Sequence, residues 1–427
     1  MKNKGRRPID PLLIQKTLLL ADIGATNARF TIVSPDSPEF KISNYKTKDF
    51  LSLQEALEHF LKPLGVQPQI AAIAIACPTD SDEITMTNAS WTFSQDQLKL
   101  HFGFEDLIVV NDFVAIAKAI PYLKEEDMVK VGGGDKKPKK PMVVLGPGTG
   151  LGISTLIPAP QSAQGAEAAA QKSEEWVATP GEGGHVTMPA SDDHEATVLS
   201  IVRKEFGHAS AERVLSGHGL ENLYQALFAI KKDQLRFDAK KGYPFSDSPF
   251  KTLPEQAGEP YRHKFKYKEF EGFDDIKIAS QDEERRPEKE SFDTRPFHET
   301  ENVFDPFQKL SAENIVAYAL KDPQVQPSPP PEVHDMCKDA LDMFCAMLGT
   351  IAGNYAITIS AEGGVYIAGG MVPRFLDYFK SSPFQARFEE KGRFGNYMNT
   401  IPTYVITHPA VAFIGLSRIV LEKFGML

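Results

Sequence analysis

Residues 18–33 read LLLADIGATNARFTIV, and this stretch decides the fold prediction. The apolar run 18–24 is typical of a buried strand, and 28–33 has the pattern of a second strand. A short turn of Ala, Thr and Asn joins them, which predicts a hairpin. Asp22, Gly24 and Thr26 would place a carboxylate, backbone N–H groups and a hydroxyl at one point. Such a turn either binds phosphate or is an ordinary tight turn.

A second unit of the same kind follows about 125 residues later. An apolar strand pattern at 142–145 leads into Gly-Pro-Gly-Thr-Gly-Leu-Gly at 146–152, and 153–157 has the pattern of a return strand. The glycine spacing is tighter than in the dinucleotide fingerprint, and the Gly-Lys-[Ser/Thr] end of a P-loop is missing. These glycines either let a phosphate approach the backbone or only serve the turn.

The rest of the chain alternates between strand and helix patterns, which predicts an α/β architecture. Strands are predicted at 70–76, 107–111, 365–368 and 403–406, and helices at 52–62, 192–206, 211–230, 335–359 and 409–424. Three stretches interrupt the pattern: an N-terminal tail at 1–15, an Ala/Gln/Ser-rich surface loop at 160–175 and a charged surface insertion at 231–308. The proline run 327–331 predicts an extended connector before the 335 helix.

Composition narrows the functional class. The chain has 427 residues, of which 42% are apolar and 24% are charged, so it can bury a sizeable core. The formal charge of 47 − 57 = −10 argues against broad binding to nucleic acid or anionic lipid. Three cysteines cannot form a disulfide framework. No apolar run reaches the ~18 residues of a membrane span, and the N-terminus is a poor signal peptide, so we expect a cytoplasmic protein.

Asn111 and Asp112 stand at the C-terminal end of a predicted strand, where α/β sheets bind their ligands. Asp112 could accept a proton from a substrate hydroxyl. It could equally be the N-cap of the helix that follows, which is a common role for Asp.

Two further loops carry polar groups or glycines suited to a ligand. Pro-Gly-Glu-Gly-Gly-His at 180–185 could direct Glu182 and His185 toward vicinal hydroxyls, although these two residues fall short of a structural zinc set. Glu212 is predicted one turn into a helix capped by Ser210, where a carboxylate also favours the helix dipole. Gly369 and Gly370 would let a flat ligand lie against the backbone, or would simply turn the chain.

These residues together resemble the bacterial-type ATP-dependent glucokinase family of the hexokinase/actin-like ATPase superfamily. The resemblance runs from about Leu18 to the C-terminus and omits most of 160–175 and 231–308. The segments that carry it are ADIGATNARF, AIACPTDSDEITMTNASWTFS, VVNDFVAIAKAIP, LGPGTGLGIS, PGEGGHVTMP, SAERVLSGHGLENLY, GGVYIAGGMVPRF and FEEKGRFGNYMNTIPTYVI.

The resemblance implies two RNase H-like (actin-like ATPase) domains with a cleft between them. The small domain would comprise 16–112 with the C-terminal helix 409–427, and the large domain 113–408. Ala25 stands where the family often has Gly, and Pro147 fixes one φ angle of the second loop. The 231–308 insertion has no counterpart in the short bacterial members.

The resemblance also implies the site. Asp112 would be the catalytic base, and Asp22 would hold Mg²⁺ directly or through water. The glucose-binding positions would be Asn111, Asp112, Glu182, His185 and Glu212. The ATP-binding positions would be Asp22, Gly24, Thr26, Asn27, Gly146, Gly148, Thr149, Gly369 and Gly370.

The sequence is therefore interpreted as that of a glucokinase that uses ATP and Mg²⁺, acts without nucleic acid or membrane, and forms a homodimer. One alternative is a kinase for a related hexose, such as N-acetylmannosamine or fructose; such kinases typically carry a Cys-rich zinc motif, and no cysteine cluster occurs here. Another alternative is a catalytically silent sugar or ATP sensor on the same fold.

Overall fold

The structure is a computed structural model that describes residues 16–34, 37, 39–86, 91–159, 176–239, 309–324 and 328–424, with side chains omitted over 233–239. The predicted tail at 1–15, the surface loop at 160–175 and all of the predicted insertion from 240 to 308 lie outside the described residues. Residues 1–231 and 307–427 make up one compact unit, which contains all three sheets of the described residues. Residues 232–306 are a second unit, of which only the end of one helix is described.

The strands, in chain order, are β1 Leu18–Ile23, β2 Asn27–Val33, β3 Ser43–Lys46, β4 Ile70–Ile75, β5 Glu83–Thr85, β6 Thr92–Ser94, β7 Asp106–Asn111, β8 Met128–Gly132, β9 Met142–Pro147, β10 Leu151–Pro158, β11 Trp176–Thr179, β12 Gly364–Ile367 and β13 Thr403–Ile406. The helices are α1 Leu53–Leu61, α2 Gln95–Phe102, α3 Asp112–Ala119, α4 Asp193–Phe206, α5 Gly217–Ala239, α6 Ala312–Ala319, α7 Pro331–Ile359, α8 Leu376–Ser381, α9 Phe384–Glu389, α10 Gly395–Met398 and α11 Val411–Lys423.

Two larger sheets organise the described residues. The first has the order β3-β2-β1-β4-β7, with β1 antiparallel to β2 and parallel to β4, and β4 parallel to β7. The second has the order β11-β10-β9-β12-β13-β8, and here β9 is again antiparallel to its following strand and parallel to β12. The predicted repetition of a strand, a glycine-containing turn and a return strand is therefore confirmed, once in each sheet.

Helices α3 and α11 lie between the two sheets. Along β1 the side chains alternate: Leu18 and Leu20 join the core around these helices, while Leu19 and Ala21 face the core beneath α1. The backbones of the two helices approach closely, and a Cβ on Gly415 would overlap the carbonyl of Ala115. The start of α3, which carries Asp112, is thus held between both sheets.

Helix α7 is the central helix of the third core, which covers the other face of the second sheet. Its length and composition would allow it to cross a membrane, but 78% of its most apolar 18-residue stretch is buried inside the structure. Met343, Phe344, Met347 and Leu348 are buried, so this stretch belongs to the core.

Three predicted boundaries are wrong. The helix predicted from 335 begins at Pro331, because proline lacks only an N–H that the first helical turn leaves unpaired anyway. The helix predicted from 211 begins at Gly217, so Glu212 lies in the preceding turn rather than in a first helical turn. The N-cap of α3 is Asn111 and not Asp112, which occupies the first helical position.

Candidate active site

Every residue predicted for the site lines one of two adjoining cavities. The inner cavity, of about 300 Å³, is lined by Asn111, Asp112, Gly146, Gly148, Glu182, His185 and Glu212. The outer cavity, of about 560 Å³, is lined by Thr26, Asn27 and Gly370. Both are bordered by Asp22, Gly24, Thr149 and Gly369. The structure therefore brings the predicted residues together, with the predicted sugar-binding groups on the inner side.

The first glycine turn is fixed by backbone hydrogen bonds. The Gly24 amide donates to the carbonyl of Asn27 at 2.9 Å, which closes the turn between β1 and β2. From the end of β3, the buried Thr47 donates its hydroxyl to the Gly24 carbonyl at 3.0 Å and its amide to the Thr26 carbonyl at 3.1 Å. The turn is thus anchored to a neighbouring strand before any ligand binds.

The two glycine turns face each other. The hydroxyl oxygens of Thr26 and Thr149 are 3.4 Å apart, although 123 residues separate them in the chain. The Gly148 amide donates to the Gly150 carbonyl, and the Gly148 carbonyl accepts from Gly217 at the start of α5, both at 2.8 Å. Two hydroxyls and the adjacent turns therefore converge where a chain of phosphate oxygens could accept hydrogen bonds.

Asp112 occupies the first position of α3, at the carboxyl end of β7. The Phe113 amide donates to both the Asn111 side-chain oxygen and Oδ1 of Asp112, at 2.9 Å each. Burial, followed by the negative charges of Asp22 and Glu182, raises the pKa of Asp112 to about 7, against the opposing effect of that amide. A carboxylate with this pKa can exchange a proton near neutral pH, as a general base must.

Asp22 is held by a residue that sequence reasoning missed. Arg29 is its direct partner across the β1–β2 hairpin and forms an ion pair with its Oδ2. The same guanidinium donates to the carbonyl of Pro409 at 2.9 Å and lies over the ring of Phe413 in α11, 5.7 Å from its centroid. A single arginine within an otherwise apolar strand pattern was the available signal.

The loop at 180–185 forms one wall of the inner cavity. The His185 amide donates to the Glu182 carbonyl at 3.0 Å, and the side chains of both residues remain more than half exposed, at 56% and 57%. Their charged atoms, Nε2 of His185 and Oε2 of Glu182, are 3.9 Å apart. These side chains are free to accept from or donate to a hydroxylated ligand.

Glu212 links this loop to the second glycine turn. Its amide donates to the Gly184 carbonyl at 2.8 Å, and its Oε2 accepts from the Leu151 amide at 2.9 Å. One carboxylate oxygen is therefore used within the protein, and the other remains for a ligand.

Cys77 is a further residue that lines the inner cavity and was not among the residues predicted for the site. It is buried, and burial together with Asp112 and Glu182 raises the pKa of its thiol to about 11, so it remains neutral. Its position directly after β4 was the available signal, since neighbouring parallel strands end at the same edge of a sheet.

The carboxylates suit a magnesium ion that arrives with a nucleotide better than a permanent metal site. Among the described residues, no group of three or more His, Cys, Asp or Glu side chains could hold a metal. Asp22 and Asp112 both line the inner cavity, and Mg²⁺ typically takes one or two carboxylates while phosphates and waters complete its shell. The donor set therefore fits Mg²⁺ bound together with phosphate.

The family model described as Glucokinase matches residues 19–243 and 299–423, leaving a gap within the predicted insertion. The glucokinase of Cronobacter sakazakii is 34% identical over 413 residues, covering 96% of this chain and 99% of the relative.

Solved structures are similar over the same extent. A crystal structure of glucokinase from an Antarctic psychrotroph is 26% identical with a TM-score of 0.63, covering 96% of this chain and 99% of its own. A glucokinase from Balamuthia mandrillaris in complex with glucose is 16% identical with a TM-score of 0.61, covering 95% and 94%, and at that identity it supports the fold alone.

Proposed function

The chain belongs to the glucokinase family of ATP-dependent sugar kinases, and we propose that it transfers the γ-phosphoryl group of ATP to the 6-hydroxyl of glucose. Its two sheets have the two-domain actin-like ATPase fold of these kinases, which confirms the predicted fold class. The observation that carries the proposal is the meeting of Thr26 and Thr149 beside a cavity that contains Asp112.

Asp112 acts as the general base. Glucose in the inner cavity presents its 6-hydroxyl to the carboxylate, which takes the proton as the oxygen attacks the γ-phosphorus. With a pKa of about 7, the carboxylate is about half ionised at pH 7 and largely ionised at mildly alkaline pH, and it is still basic enough to accept the proton. Protonated Asp112 is then relieved of repulsion by Asp22 and Glu182, which favours the transfer.

The two glycine turns hold the phosphates. Thr26, Thr149 and nearby backbone amides donate to the phosphoryl oxygens and stabilise the charge that shifts during transfer. Asp22 would hold Mg²⁺, directly or through water, and the ion would neutralise phosphate charge. Gly369 and Gly370 border the outer cavity, where the adenosine would lie. Gly369 needs its glycine, because its φ is +85° and a Cβ would lie 2.5 Å from the Pro147 carbonyl oxygen.

The sugar is held by the groups around Asp112. Glu182, His185 and the free oxygen of Glu212 bind ring hydroxyls, and Asn111 donates through its amide because its oxygen already caps α3. These bonds orient the 6-hydroxyl, which makes the attack effectively unimolecular. A sugar that lacks the hydroxyl bound by the partly buried Glu212 leaves that acceptor unpaired, at a cost of about 1–3 kcal/mol.

A coupled assay of ADP release tests the proposal. Purified protein is mixed with Mg²⁺ and ATP, with or without glucose, fructose, mannose or N-acetylmannosamine. Release of ADP that depends on glucose, with a higher kcat/KM than for the other sugars, is expected. A preference for another sugar would assign a different hexose kinase, and ligand binding without ADP release would indicate a sensor.

The proposal also covers the cellular location, the oligomeric state and the division into domains. The protein works in the cytoplasm, forms a homodimer, and divides into a small domain of 16–112 with 409–427 and a large domain of 113–408. Helix α11 packs against β1 and β4, which supports assigning it to the small domain, and it packs still more extensively against α3, which begins at the proposed boundary. Light scattering during size-exclusion chromatography at several concentrations tests the dimer.

A further inference from the structure

The loop that carries Glu182 and His185 is attached to the long core helix α7. Tyr355 of α7 donates its hydroxyl to the carbonyl of Gly183 at 3.0 Å. Its ring is partly buried against the core beneath the second sheet. Burial raises the pKa of Tyr355, so the hydroxyl keeps its proton and remains a donor at any pH at which the protein works.

Gly183 is fitted to this hydroxyl. A Cβ at 183 would overlap the Tyr355 oxygen and would lie 3.2 Å from Cβ of Ile153 in β10. The hydrogen bond joins residues that are 172 positions apart, so it fixes the loop relative to the core. The bond between the amide of His185 and the carbonyl of Glu182 is local and shapes the loop without anchoring it.

Apart from the bond from the adjacent Val186 amide to the Gly183 carbonyl at 3.4 Å, two of the described hydrogen bonds of the 182–185 stretch reach beyond the loop. One is the bond from Tyr355 to Gly183, and the other is the bond from the Glu212 amide to the Gly184 carbonyl at 2.8 Å. The Glu212 bond ties the loop to a neighbouring turn of the site itself. Tyr355 provides the attachment to an element that takes no part in lining either cavity.

We propose that Tyr355 is a positioning residue for the sugar, which sets the location of Glu182 and His185 by holding Gly183 between them. The inference rests on the proposed function, since it assumes that these two side chains bind the hexose. Tyr355 lines neither cavity, so its effect on the sugar is exerted through the loop backbone.

A second tyrosine offers a matched control. Tyr366 of β12, in the second sheet, donates its hydroxyl to the carbonyl of Gly363 at 3.1 Å. This is the same type of hydrogen bond as that from Tyr355 to Gly183. Neither Tyr366 nor Gly363 lines either cavity. Tyr355→Phe and Tyr366→Phe therefore each remove one hydroxyl that bonds a glycine carbonyl, but only the first faces the sugar loop.

Steady-state kinetics separates the two variants. Tyr355→Phe is expected to raise KM for glucose about 3- to 10-fold, the range that loss of one neutral hydrogen bond produces, with KM for ATP within 2-fold of wild type. Tyr366→Phe is expected to lower Tm and to leave both KM values within 2-fold. Equal increases in both KM values, an unchanged KM for glucose in Tyr355→Phe, or the same glucose defect in Tyr366→Phe would overturn the inference.

Calorimetric titration of glucose without nucleotide keeps the inference separate from the catalytic proposal. If wild type binds glucose but does not release ADP, the proposed function fails, and the inference still requires a weaker glucose Kd in Tyr355→Phe. If wild type binds no hexose, both fail. If wild type is active and the glucose Kd of Tyr355→Phe is unchanged, the inference alone fails.

A double variant tests the geometry itself. Gly183→Ala should lower Tm strongly, because the new methyl group overlaps the Tyr355 hydroxyl. In the Tyr355→Phe background that atom is gone and Cζ of the ring, 3.0 Å away, is the nearest atom, so the same change should lower Tm by less. Additive losses of Tm would show that the two residues are not coupled.

Discussion

Replacing Asp112 by Asn should inactivate the enzyme and stabilise its fold at the same time. Asparagine keeps the side-chain oxygen that accepts from the Phe113 amide at 2.9 Å, so the start of α3 stays capped. The substitution removes the base, and kcat should fall by about 10²- to 10⁴-fold, with glucose affinity changed only by a small factor. It also removes a negative charge that the folded site disfavours.

The stabilisation follows from the pKa of Asp112. Burial and the charges of Asp22 and Glu182 raise this pKa from 3.8 to about 7. Between those values the folded protein binds a proton that the unfolded chain releases, so wild type loses stability as pH rises through this window, and the full cost remains above pH 7. A difference of about 3 at 1.36 kcal/mol per pH unit is roughly 4 kcal/mol.

Partial exposure of Asp112 at the cavity reduces that figure, because solvent screens its charge. We expect Asp112→Asn to unfold with a free energy about 1–3 kcal/mol higher than wild type at pH 8. At roughly 2 °C per kcal/mol for a chain of this size, Tm should rise by about 2–6 °C. The gain should shrink toward pH 5, be small near pH 4 and vanish only below about pH 3, where Asp112 is protonated in both the folded and the unfolded protein.

Asp106 supplies the matched control at the other end of β7. Its Oδ1 accepts from the next amide, that of Leu107, at 3.0 Å, just as Oδ1 of Asp112 accepts from Phe113. Its carboxylate, however, forms ion pairs with Lys423 at 2.5 Å and Lys99 at 3.9 Å. Asp106→Asn should therefore lower Tm slightly and leave kcat unchanged, whereas Asp112→Asn should raise Tm and lower kcat.

Thermal unfolding of wild type and both variants from pH 4 to pH 8, together with the coupled assay, measures both effects. A Tm difference between Asp112→Asn and wild type that does not depend on pH would refute the argument from the pKa. Nearly full activity of Asp112→Asn would remove Asp112 as the base.

Three further predictions concern the same site. At saturating ATP, kcat/KM for glucose should fall about tenfold per pH unit below pH 7 as Asp112 takes up a proton, and a flat profile from pH 5 to 8 would speak against this base. Glu212→Gln should raise KM for glucose tenfold or more, while KM for ATP should stay within 3-fold of wild type. The second glycine turn should keep its position, because glutamine can still accept from the Leu151 amide. Equal increases in the two KM values, measured by steady-state kinetics, would contradict the assignment. Gly152→Ala should lower Tm by many degrees because its Cβ would overlap the Phe113 ring, whereas Gly181→Ala, with nothing within 4 Å, should leave Tm unchanged, and similar Tm values in both variants would reject that packing.

The hairpins at the two glycine turns could be predicted because their signals are local. Apolar residues on both sides of a short turn require antiparallel pairing, and the turn length determines which residues face each other. The pairing of Asp22 with Arg29 follows from that register. The contact between Thr26 and Thr149 joins distant parts of the chain, so local signals cannot predict it. The family resemblance does place both turns at the ATP, because it relates whole motifs rather than single contacts.

Glu212 shows why other features could not be predicted. Ser210 was predicted to cap a helix, but its Oγ, which accepts from the Arg213 amide at 3.4 Å, only closes a turn. The helix begins only at Gly217, after Ser216, whose Oγ accepts from the Gly219 amide at 2.9 Å. The amide of Gly217 also donates to the carbonyl of Gly148, 69 residues earlier in the chain, which fixes the start of the helix against the second glycine turn. Local propensity carries no information on a bond formed with a distant loop. The same holds for the bond from Tyr355 to Gly183.

Two interpretations of the second glycine turn were left open: its glycines either let a phosphate approach the backbone or only serve the turn. The structure gives different residues of this turn different surroundings. Gly146 and Gly152 face each other across β9 and β10, and a Cβ on either one would overlap the ring of Phe113. The small size of these two glycines lets a phenyl ring dock against the hairpin, so both serve packing, although both also line the inner cavity. Gly148 and Thr149 remain at the cavity, where phosphate would bind. Because Phe113 directly follows Asp112, this docking attaches the proposed base to the turn that would hold the phosphate. A change in the position of the turn must then move the base with it, which is the geometric coupling that in-line transfer requires.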